Sequence, residues 1–381
     1  MVRLLLAALV LLSVQPAMAA DPQPYTIDVV VGLTGIGAFA GKLATQALGV
    51  YEGIVNKSGG IHGRPLHFEI HDDATNPIND VQIVNQILTT HPAVILGALN
   101  TASCEAVAPL MLKGPVYYCL SPGISPPAGS YVFASATTLT SSMTSLYDHL
   151  RDMGFKRAAS ITGTDAIGVL NEQVTKAYFA SPRHRAMELV ADEVFNPADQ
   201  TVAAEVSHLK AANPDLILNW GNGTPFGTTL RDLTNAGMDD IRMMMSPVNA
   251  NPTLLTQFTP FMPKTVVTIG LPYQGHALIK PLQGVATEYL TGIKDAGFEP
   301  SPTHMYAWDA ARVVVAALRA LPPDATPAQL HDYIEKLHDF PALCGMYDFR
   351  TGDQHGCDGS QETVVRWNPA TKDFDYYQPG K

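Results

Sequence analysis

The stretch Tyr25-Thr26-Ile27-Asp28-Val29-Val30-Val31-Gly32-Leu33 sets the fold class, because β-branched residues dominate it and a glycine-rich break follows at once. Residues 38–56 then carry apolar side chains at helical spacing, and Lys57-Ser58-Gly59-Gly60 ends that predicted helix. Residues 66–72 alternate apolar and polar side chains, as a strand does. This opening therefore predicts a β-α-β unit.

The same alternation continues along the chain. Further strands are predicted at 93–98, 116–120, 157–162, 188–194 and 215–220, and further helices at 79–90, 167–179 and 201–212. Such alternation is typical of parallel sheets with helices on both faces and right-handed crossovers. We predict an α/β protein with doubly wound parallel sheets, whose ligand site lies at the carboxyl ends of the strands.

Length and composition narrow the class of protein further. The 381 residues are enough for two lobes, and 46% apolar against 15% charged residues indicates a chain with a large core rather than a disordered one. Lys and Arg number 24 and Asp and Glu 35, a formal charge of −11 that repels phosphate backbones. Nucleic acid is therefore excluded as an expected partner.

The first residues have the pattern of an export signal. Arg3 precedes an apolar run at 4–14, and Ala17-Met18-Ala19 is an A-x-A cleavage pattern. A membrane anchor is the alternative, but the run is much shorter than the roughly 20 residues that a spanning helix needs. We predict that residues 1–19 are a cleaved signal peptide, that the mature chain begins at Ala20, and that it is exported to a periplasm.

Export makes the four cysteines informative, because disulfides persist in oxidising compartments. Four cysteines allow three pairings. We predict Cys104 with Cys119, which lie near consecutive strands, and Cys344 with Cys357, which bracket a hairpin-like stretch. A metal site is the alternative, but C-x-x-C or mixed Cys/His spacing does not occur, and we expect no metal.

A glycine-rich turn follows the first predicted strand. Residues 35–40 read Gly-Ile-Gly-Ala-Phe-Ala and satisfy G-x-G-x-x-A, a dinucleotide fingerprint. The acidic residue expected about 20 positions on would fall near Val55. We therefore interpret the glycines as a tight turn and expect no cofactor.

A second candidate motif lies on the strand at 66–72. Its period of two places His67, Glu69 and His71 on one face, as a metal triad would require. The alternative is a solvated strand face, which we prefer because the strand spreads the three groups over roughly 13 Å.

Sequence signatures of catalysis are missing. The patterns G-x-S-x-G, H-E-x-x-H and Walker A do not occur. We therefore predict a protein that is not an enzyme.

Several stretches together resemble the periplasmic Leu/Ile/Val-binding proteins of ABC importers, the type I periplasmic binding proteins. The most specific is Asn56-Lys57-Ser58-Gly59-Gly60-Ile61-His62-Gly63-Arg64-Pro65-Leu66, similar to the family pattern N-x-x-G-G-I-x-G-R-x-L. The other matching stretches are, in order, 32–35 with Gly41, 71–73, 97–101 with Ala108-Pro109, 120–125, 165–168 and 306–310.

The resemblance implies two α/β lobes that are joined by three crossings and close on a small solute. Applied to this chain, it gives one lobe at 25–137 plus 272–340 and a second at 138–271 plus 341–381. It implies a small carboxylate ligand, such as a branched-chain amino acid, and an inner-membrane ABC permease as partner. We expect a monomer.

The resemblance also assigns binding residues in the first lobe. Thr101 matches a family serine whose hydroxyl and backbone N–H bind a ligand carboxylate, and Gly123 and Ser125 match a loop that offers a carbonyl and a hydroxyl. An alternative role for Thr101 is an ordinary helix N-cap, because Thr is common there.

In the second lobe the sequence departs from the family pattern. Amino-acid binders of this family carry a glutamate that neutralises the ligand ammonium, whereas here Ser246-Pro247 is followed by Val248 and Asn249. A buried ammonium without a carboxylate costs several kcal/mol. A carboxylate without an α-amino group, for example an aromatic acid, is therefore as consistent with the sequence as Leu, Ile or Val.

The family's aromatic wall positions are also changed. They fall on Ala40, Ile167 and Asn222 or Gly223, which makes a larger pocket. The aromatic residues near the predicted pocket offer surfaces on which a ligand could stack, and they are Phe39, Tyr117, Tyr118 and Trp220. Core packing is the alternative role for these side chains.

Three functions follow from these patterns. The leading one is a transport receptor that delivers solute to a permease. The alternatives are a periplasmic sensor of the same fold that acts on a signalling partner, and an exported enzyme, for which no nucleophile and base occur at recognisable spacing.

Overall fold

The computed structural model of the chain describes residues 23–270, 274, 278–357, 359 and 362–377. The predicted signal peptide at 1–19 and the predicted lobe boundary at Pro272 lie outside the described residues. None of the described helices is both long and apolar enough to cross a membrane.

The seven strands predicted from the sequence are found at or near their predicted positions, and the structure adds further strands that were not predicted. The described strands are β1 (Tyr25–Val31), β2 (Leu66–Asp72), β3 (Val94–Gly97), β4 (Val116–Cys119), β5 (Val132–Ala134), β6 (Arg157–Gly163), β7 (Glu188–Phe195), β8 (Leu216–Asn219), β9 (Arg242–Met245), β10 (Thr265–Gly270), β11 (Phe340–Pro341), β12 (Met346–Tyr347), β13 (Thr363–Asn368) and β14 (Asp373–Tyr376).

The described α-helices alternate with these strands over most of the chain. They are α1 (Ala38–Lys57), α2 (Pro77–Leu88), α3 (Thr101–Val107), α4 (Leu139–Asp152), α5 (Ala166–Ala180), α6 (Ala203–Ala211), α7 (Thr224–Asn235), α8 (Pro252–Gln257), α9 (Lys280–Asp295), α10 (Pro302–Ala320) and α11 (Pro327–Ile334).

The first sheet has five parallel strands in the order β2-β1-β3-β4-β5. Strand β1 pairs with β2 on one side and with β3 on the other, so that Val29 lies between Ile70 of β2 and Leu96 of β3. Strands β3 and β4 are buried along their whole length, as parallel strands covered by helices on both faces must be. Because both faces of these strands are covered by helices, nearly all of their side chains are apolar or aromatic.

Helices α1 and α10 pack together on one face of the first sheet. The Trp308 ring of α10 is fully buried, with its centroid 5.0 Å from Tyr51 of α1 and 5.2 Å from Tyr289 of α9. Truncating a buried aromatic side chain of this size costs about 3–5 kcal/mol. These rings therefore fix the helical layer against the sheet.

The second sheet has seven strands in the order β14-β13-β10-β9-β8-β6-β7. Strands β7, β6, β8, β9 and β10 are parallel, and β13 and β14 add two antiparallel strands at one edge. The predicted α/β class with two doubly wound sheets is confirmed, with this antiparallel edge as an addition. Its sequence cue is the hairpin-like spacing of two short strands near the end of the chain.

The described chain passes between the two sheets in three places. It leaves β5 of the first sheet and enters α4, which packs in the core of the second. It returns between β10 and α9, and it leaves the first core again after Cys357 to enter β13. Connections between two lobes can act as a hinge. Residues 271–273 and 275–277 of the second passage lie outside the described residues.

Residues 342–357 pack with the first sheet. Leu343, Tyr347 and Phe349 belong to its core, and the buried Asp309 of α10 accepts the N–H groups of Leu343 and Cys344, at 2.8 Å each. Burial raises the pKa of Asp309 to about 6, while these hydrogen bonds oppose the shift. The division into lobes stays a proposal, and this packing would move its last boundary from residue 341 to a point after Cys357.

Two disulfides occur in the described chain, Cys104–Cys119 and Cys344–Cys357. These are the two pairs that the sequence indicated. The first links α3 to β4, and the second closes a loop beside α10. Both disulfides therefore lie within the first sheet's half of the molecule.

Candidate functional site

The candidate site lies where β3 and β4 end. Because these strands are adjacent and parallel, their carboxyl ends meet at one edge of the sheet. Thr101 begins the helix after β3, and Ser121 and Gly123 lie on the loop after β4. Thr101 Oγ1 is 2.8 Å from Ser121 Oγ, which also accepts the N–H of Gly123 at 3.2 Å. The sheet thus brings two hydroxyl groups and a glycine together.

Thr101 is not the N-cap of α3. That role belongs to Asn100, whose side-chain oxygen accepts the N–H of Ala102 at 2.9 Å. The alternative role of Thr101 as an ordinary cap is therefore wrong, because the cap lies one residue earlier. The Thr101 hydroxyl is left to face Ser121, and its backbone N–H lies in the first turn, where α-helices have no internal acceptor.

Ser121 was missed as a site residue in the sequence. It lies in the stretch 120–125 that carries the resemblance, but nothing in its spacing distinguishes it from Ser125. The adjacency of β3 and β4 is the signal that could have found it. Ser125 is exposed, and among the described residues its hydroxyl has no hydrogen-bond partner. Its ligand contact stays a prediction.

The opposite side of the site is the first turn of α5. Asp165 caps this helix by accepting the N–H of Gly168 at 3.1 Å. The side chain of Ile167 then reaches Gly123, since a Cβ atom on Gly123 would lie 2.7 Å from Ile167 Cδ1 and 2.4 Å from Thr101 Oγ1. Helices α3 and α5 are also in contact. The two halves of the molecule therefore meet at Gly123.

Three of the aromatic side chains considered for the pocket lie in the cores. Tyr117 and Tyr118 are fully buried in the first sheet, and burial raises the pKa of both phenols. Trp220, which follows β8, is 4% exposed, and its Nε1–H donates to the Tyr147 hydroxyl at 3.2 Å. Phe39 is partly buried in the first turn of α1. A stacking role for Trp220 and Phe39 stays a prediction.

Amide groups line the ends of β8 and β9, which are adjacent and parallel. The Asn249 side chain donates to Gly221 O at 2.8 Å and accepts the N–H of Gly223 at 3.0 Å, which fixes the loop after β8. Asn222 Oδ1 is shielded from solvent and has no hydrogen-bond partner among the described residues. Residues 219–223 and 246–251 contain no acidic side chain.

Val248 lies on the same wall and is partly buried. Its side chain packs against the core of the first sheet, and its carbonyl oxygen accepts the Thr303 hydroxyl at 3.4 Å. Val248 therefore lies where the two halves of the molecule approach each other. The Val248 side chain is neutral, so this wall offers no counter-charge to a ligand ammonium.

A buried pair of acids lies next to α3. Asp73 follows β2, and Asp80 is on α2; they are 1% and 0% exposed. Burial and the neighbouring Asp73 carboxylate raise the pKa of Asp80 to about 8. Asp73 accepts the N–H of Thr75 at 2.6 Å, and the fully buried Ser103 of α3 lies beside Asp80. At neutral pH the pair therefore holds a proton.

The glycine-rich turn after β1 is closed by an aspartate. Asp72 Oδ1 accepts the N–H groups of Leu33 at 2.8 Å and Thr34 at 3.2 Å, and Asp72 Oδ2 accepts the Thr34 hydroxyl at 2.8 Å. Gly35 has a φ of +78° beside Ala74 O. A carboxylate thus occupies N–H groups that a pyrophosphate would need, which favours the tight-turn interpretation.

The polar face of β2 forms separate pairs. His71 Nε2 is 2.8 Å from Asp28 Oδ1 of β1, and His67 Nε2 is 3.2 Å from Glu69 Oε2. Among the described residues, no group of three or more His, Cys, Asp or Glu side chains is arranged to hold a metal ion. The pairing favours the solvated strand face.

Comparison with known proteins gives one family. The family model described as periplasmic binding protein matches residues 24–371, most of the chain. A Leu/Ile/Val-binding protein homolog 3 of Brucella melitensis is 26% identical over 219 residues. That alignment covers 56% of this chain and spans 58% of the length of this curated relative.

Solved structures give the same fold. The branched-chain amino acid transporter substrate binding protein LivJ from Streptococcus pneumoniae, in complex with isoleucine, superposes with a TM-score of 0.76 at 16% identity, covering 94% of this chain and 100% of that one. A fatty acid ABC transporter substrate-binding protein from Thermomonospora curvata superposes at 0.75 and 17% identity, covering 95% and 92%. At this identity the likeness concerns the fold alone.

Proposed function

Because the chain belongs to the periplasmic binding protein family, we propose that it is the substrate-binding component of an ABC importer and captures a small carboxylate between two lobes. Its relatives are solute-binding proteins of this kind, and we propose no enzymatic activity. The alternative of a periplasmic sensor has no specific observation in its favour.

The main support for a carboxylate ligand is the pair of hydroxyl groups on Thr101 and Ser121. Gly123 lies beside this pair, and Ile167 packs against Gly123 from the other half of the molecule. Hydroxyl and backbone N–H donors at strand ends bind a carboxylate without any lysine. The Thr101 hydroxyl has no capping role, and Gly123 leaves room where a side chain would fill the site. In this account the carboxylate binds beside Thr101, and Ile167 closes over it.

The second wall supports a ligand without an α-amino group. It carries the amides of Asn222 and Asn249 and the apolar Val248, where a buried ammonium would need a carboxylate. An unpaired buried ammonium costs several kcal/mol. We therefore propose that the ligand is an aliphatic or aromatic carboxylic acid rather than leucine, isoleucine or valine.

The names of the structural relatives are compatible with this division. One is described in complex with isoleucine, and the other is named for fatty acid transport. An amino acid and a fatty acid share a carboxylate and differ in the ammonium. The chemistry of the two walls in this chain, hydroxyls on one and amides on the other, fits the shared group.

The remaining expectations are part of the same proposal. The protein acts in the periplasm after loss of residues 1–19, as a monomer that delivers its solute to an inner-membrane permease. The three passages between the sheets act as the hinge on which the lobes close. Residues 358, 360 and 361 of the third passage lie outside the described residues.

A thermal-shift screen of amino acids, aliphatic acids and aromatic acids tests the function. A ligand present at 100 times its dissociation constant stabilises the folded protein by about 2.7 kcal/mol. Thr101→Val should weaken binding of the best acid about ten-fold to roughly a hundred-fold, the loss expected for a hydrogen bond to a charged group. Thr287→Val, which removes an exposed hydroxyl on α9, is the matched control. A panel without any stabilising ligand, or equal loss in both variants, contradicts the proposal.

A further inference from the structure

The disulfide between Cys104 and Cys119 joins the two segments that carry the hydroxyl pair of the candidate site. On α3, Cys104 lies three residues after Thr101. Cys119 ends β4, two residues before Ser121. Both cysteines are fully buried, and the hydroxyls of Thr101 and Ser121 lie 2.8 Å apart. A covalent bond therefore spans the same gap as this hydroxyl contact.

The two sulfur atoms also contact the backbone of both segments. The N–H of Ser121 donates to Cys119 Sγ at 3.3 Å, and the same sulfur lies 3.4 Å from Ser121 O. Cys104 Sγ lies 3.3 Å from the carbonyl oxygen of Ala98, between β3 and α3. Because Ser121 is only 2% exposed, solvent does not compete for these contacts. The disulfide thus packs against the chain on both sides of the site.

Helix α3 needs an anchor because it is short. It has seven residues, and helices of fewer than about 12 residues are marginal on their own. Side chains three residues apart lie on the same face of a helix, as Thr101 and Cys104 do. The bond from Cys104 therefore holds the face of α3 that presents the Thr101 hydroxyl.

We propose that the Cys104–Cys119 disulfide is a positioning element of the ligand site, which holds the Thr101 and Ser121 hydroxyls at the spacing that binds a carboxylate. This inference rests on the proposed function. Without the bond, α3 and the loop after β4 move independently, and ordering them around a ligand costs conformational entropy. Ligand affinity therefore depends on this bond beyond what the bond contributes to overall stability.

The second disulfide offers a matched control. The paired cysteines are 15 residues apart in Cys104–Cys119 and 13 apart in Cys344–Cys357. The stabilisation from a cross-link depends on the size of the ring that it closes, so the two bonds should contribute about equally to the free energy of unfolding. Cys344 and Cys357 lie on neither of the segments that carry the hydroxyl pair. A difference in affinity between the two variants therefore reports on positioning rather than on stability.

Calorimetric titration with benzoate and with leucine tests the proposal, at a temperature where both variants are folded. Cys104→Ala/Cys119→Ala should weaken the binding of the probe that binds by about ten-fold, as expected when one hydrogen bond to a charged group is lost. Cys344→Ala/Cys357→Ala should keep the wild-type affinity. Equal losses in the two variants, or no loss in the first, overturn the proposal.

A double-mutant cycle separates the positioning of the hydroxyl from a general loosening of the protein. If the bond places the Thr101 hydroxyl, Thr101→Val should cost less affinity once the bond is gone, because groups that act together are not additive. Its cost should be at least about three-fold smaller in Cys104→Ala/Cys119→Ala than in the wild-type protein. Full additivity of the two changes overturns the proposal.

Amide hydrogen exchange tests the positioning without any ligand. The Ser121 amide, which donates to Cys119 Sγ, should exchange slowly in the wild-type protein and in Cys344→Ala/Cys357→Ala. It should exchange faster in Cys104→Ala/Cys119→Ala, and equal rates in all three proteins overturn the proposal. If neither benzoate nor leucine binds, the proposed ligand class is wrong, and these rates still decide the role of the disulfide.

The wild-type rate decides alone if Cys104→Ala/Cys119→Ala does not fold. A Ser121 amide that exchanges as slowly as the amides of the buried strand β4 supports the proposal. One that exchanges as fast as the amides of an exposed loop overturns it.

Discussion

Ile167 and Gly123 touch across the boundary between the two sheets, with Ile167 Cδ1 only 2.7 Å from where a Cβ atom on Gly123 would stand. Ile167 belongs to the first turn of α5, and Gly123 to the loop after β4. The structure is therefore closed at this point. A Cβ atom on Gly123 would also lie 2.4 Å from Thr101 Oγ1. Closure at this contact therefore requires a glycine, which has no side chain, at position 123.

Gly123→Ala should weaken ligand binding. The added methyl group collides with Thr101 and Ile167, and overpacking of this kind costs about 1–3 kcal/mol, which corresponds to about five-fold to roughly 150-fold in affinity. Calorimetric titration with the best ligand of the thermal-shift screen measures the loss.

Gly284→Ala on α9 is the matched control, because no heavy atom lies within 4 Å of the Cβ that it adds. Adding Ile167→Ala to Gly123→Ala should restore part of the affinity by removing one of the two collisions. If Gly123→Ala binds as tightly as the control, closure at this contact is not required for binding.

Val248→Glu should weaken the binding of an acid ligand and permit that of an amino acid. It installs on the second wall the carboxylate that the chain lacks, which repels a ligand carboxylate and pairs with an ammonium. The control Val248→Gln introduces a side chain of nearly the same shape as glutamate but without its charge, and it should not discriminate between an acid and an amino acid. Equal effects of Glu and Gln on titrations with benzoate and leucine would show that charge on this wall does not select the ligand.

Asp80→Asn should stabilise the protein at neutral and alkaline pH. The folded protein holds the Asp80 proton up to about pH 8, whereas an unfolded aspartate releases it near pH 4. Between these values the folded state binds more protons, so the free energy of unfolding falls as the pH rises, by at most about 1.4 kcal/mol per pH unit.

Urea unfolding at several pH values measures this slope. Between about pH 4 and about pH 8, the free energy of unfolding should fall less steeply with pH in Asp80→Asn than in the wild-type protein. Asp324→Asn, at an exposed position, should keep the wild-type slope. An unchanged slope in Asp80→Asn would mean that the buried pair holds no proton in the folded state.

Denatured, unreduced mature protein should contain close to no free thiol, because all four cysteines are paired. Replacing Cys344 and Cys357 together by alanine should lower the free energy of unfolding by about 2–4 kcal/mol. Thiol titration and urea unfolding measure the two effects. Four reactive thiols would contradict both pairings and the proposed export.

The sequence predicts the α/β architecture well because alternation is local. The β-branched run at 25–31 and the helical spacing of 38–57 each report on their own neighbours. The same locality limits the prediction at 342–357, a stretch that the sequence assigned to the second lobe and that packs with the core of the first sheet. Leu343 and Phe349 are apolar and buried, but nothing in their spacing indicates which core they join.

The site was predicted in part for the same reason. Thr101 and Gly123 are found by resemblance, and the structure brings them together. The contact of Thr101 with Ser121 depends on the pairing of β3 with β4. Asn100 rather than Thr101 is the N-cap because α3 begins one residue earlier or later than a side-chain pattern can specify. Side-chain patterns do not encode either of these relationships.

Calorimetric titration of the wild-type protein with benzoate, a 2-oxo acid and leucine tests the central claim most directly. The account predicts that an acid without an α-amino group binds and that leucine binds more weakly, because Val248 and Asn249 supply no counter-charge to an ammonium. Micromolar or tighter binding of leucine, with no binding of the acids, would contradict the account and make the protein an ordinary branched-chain amino acid receptor.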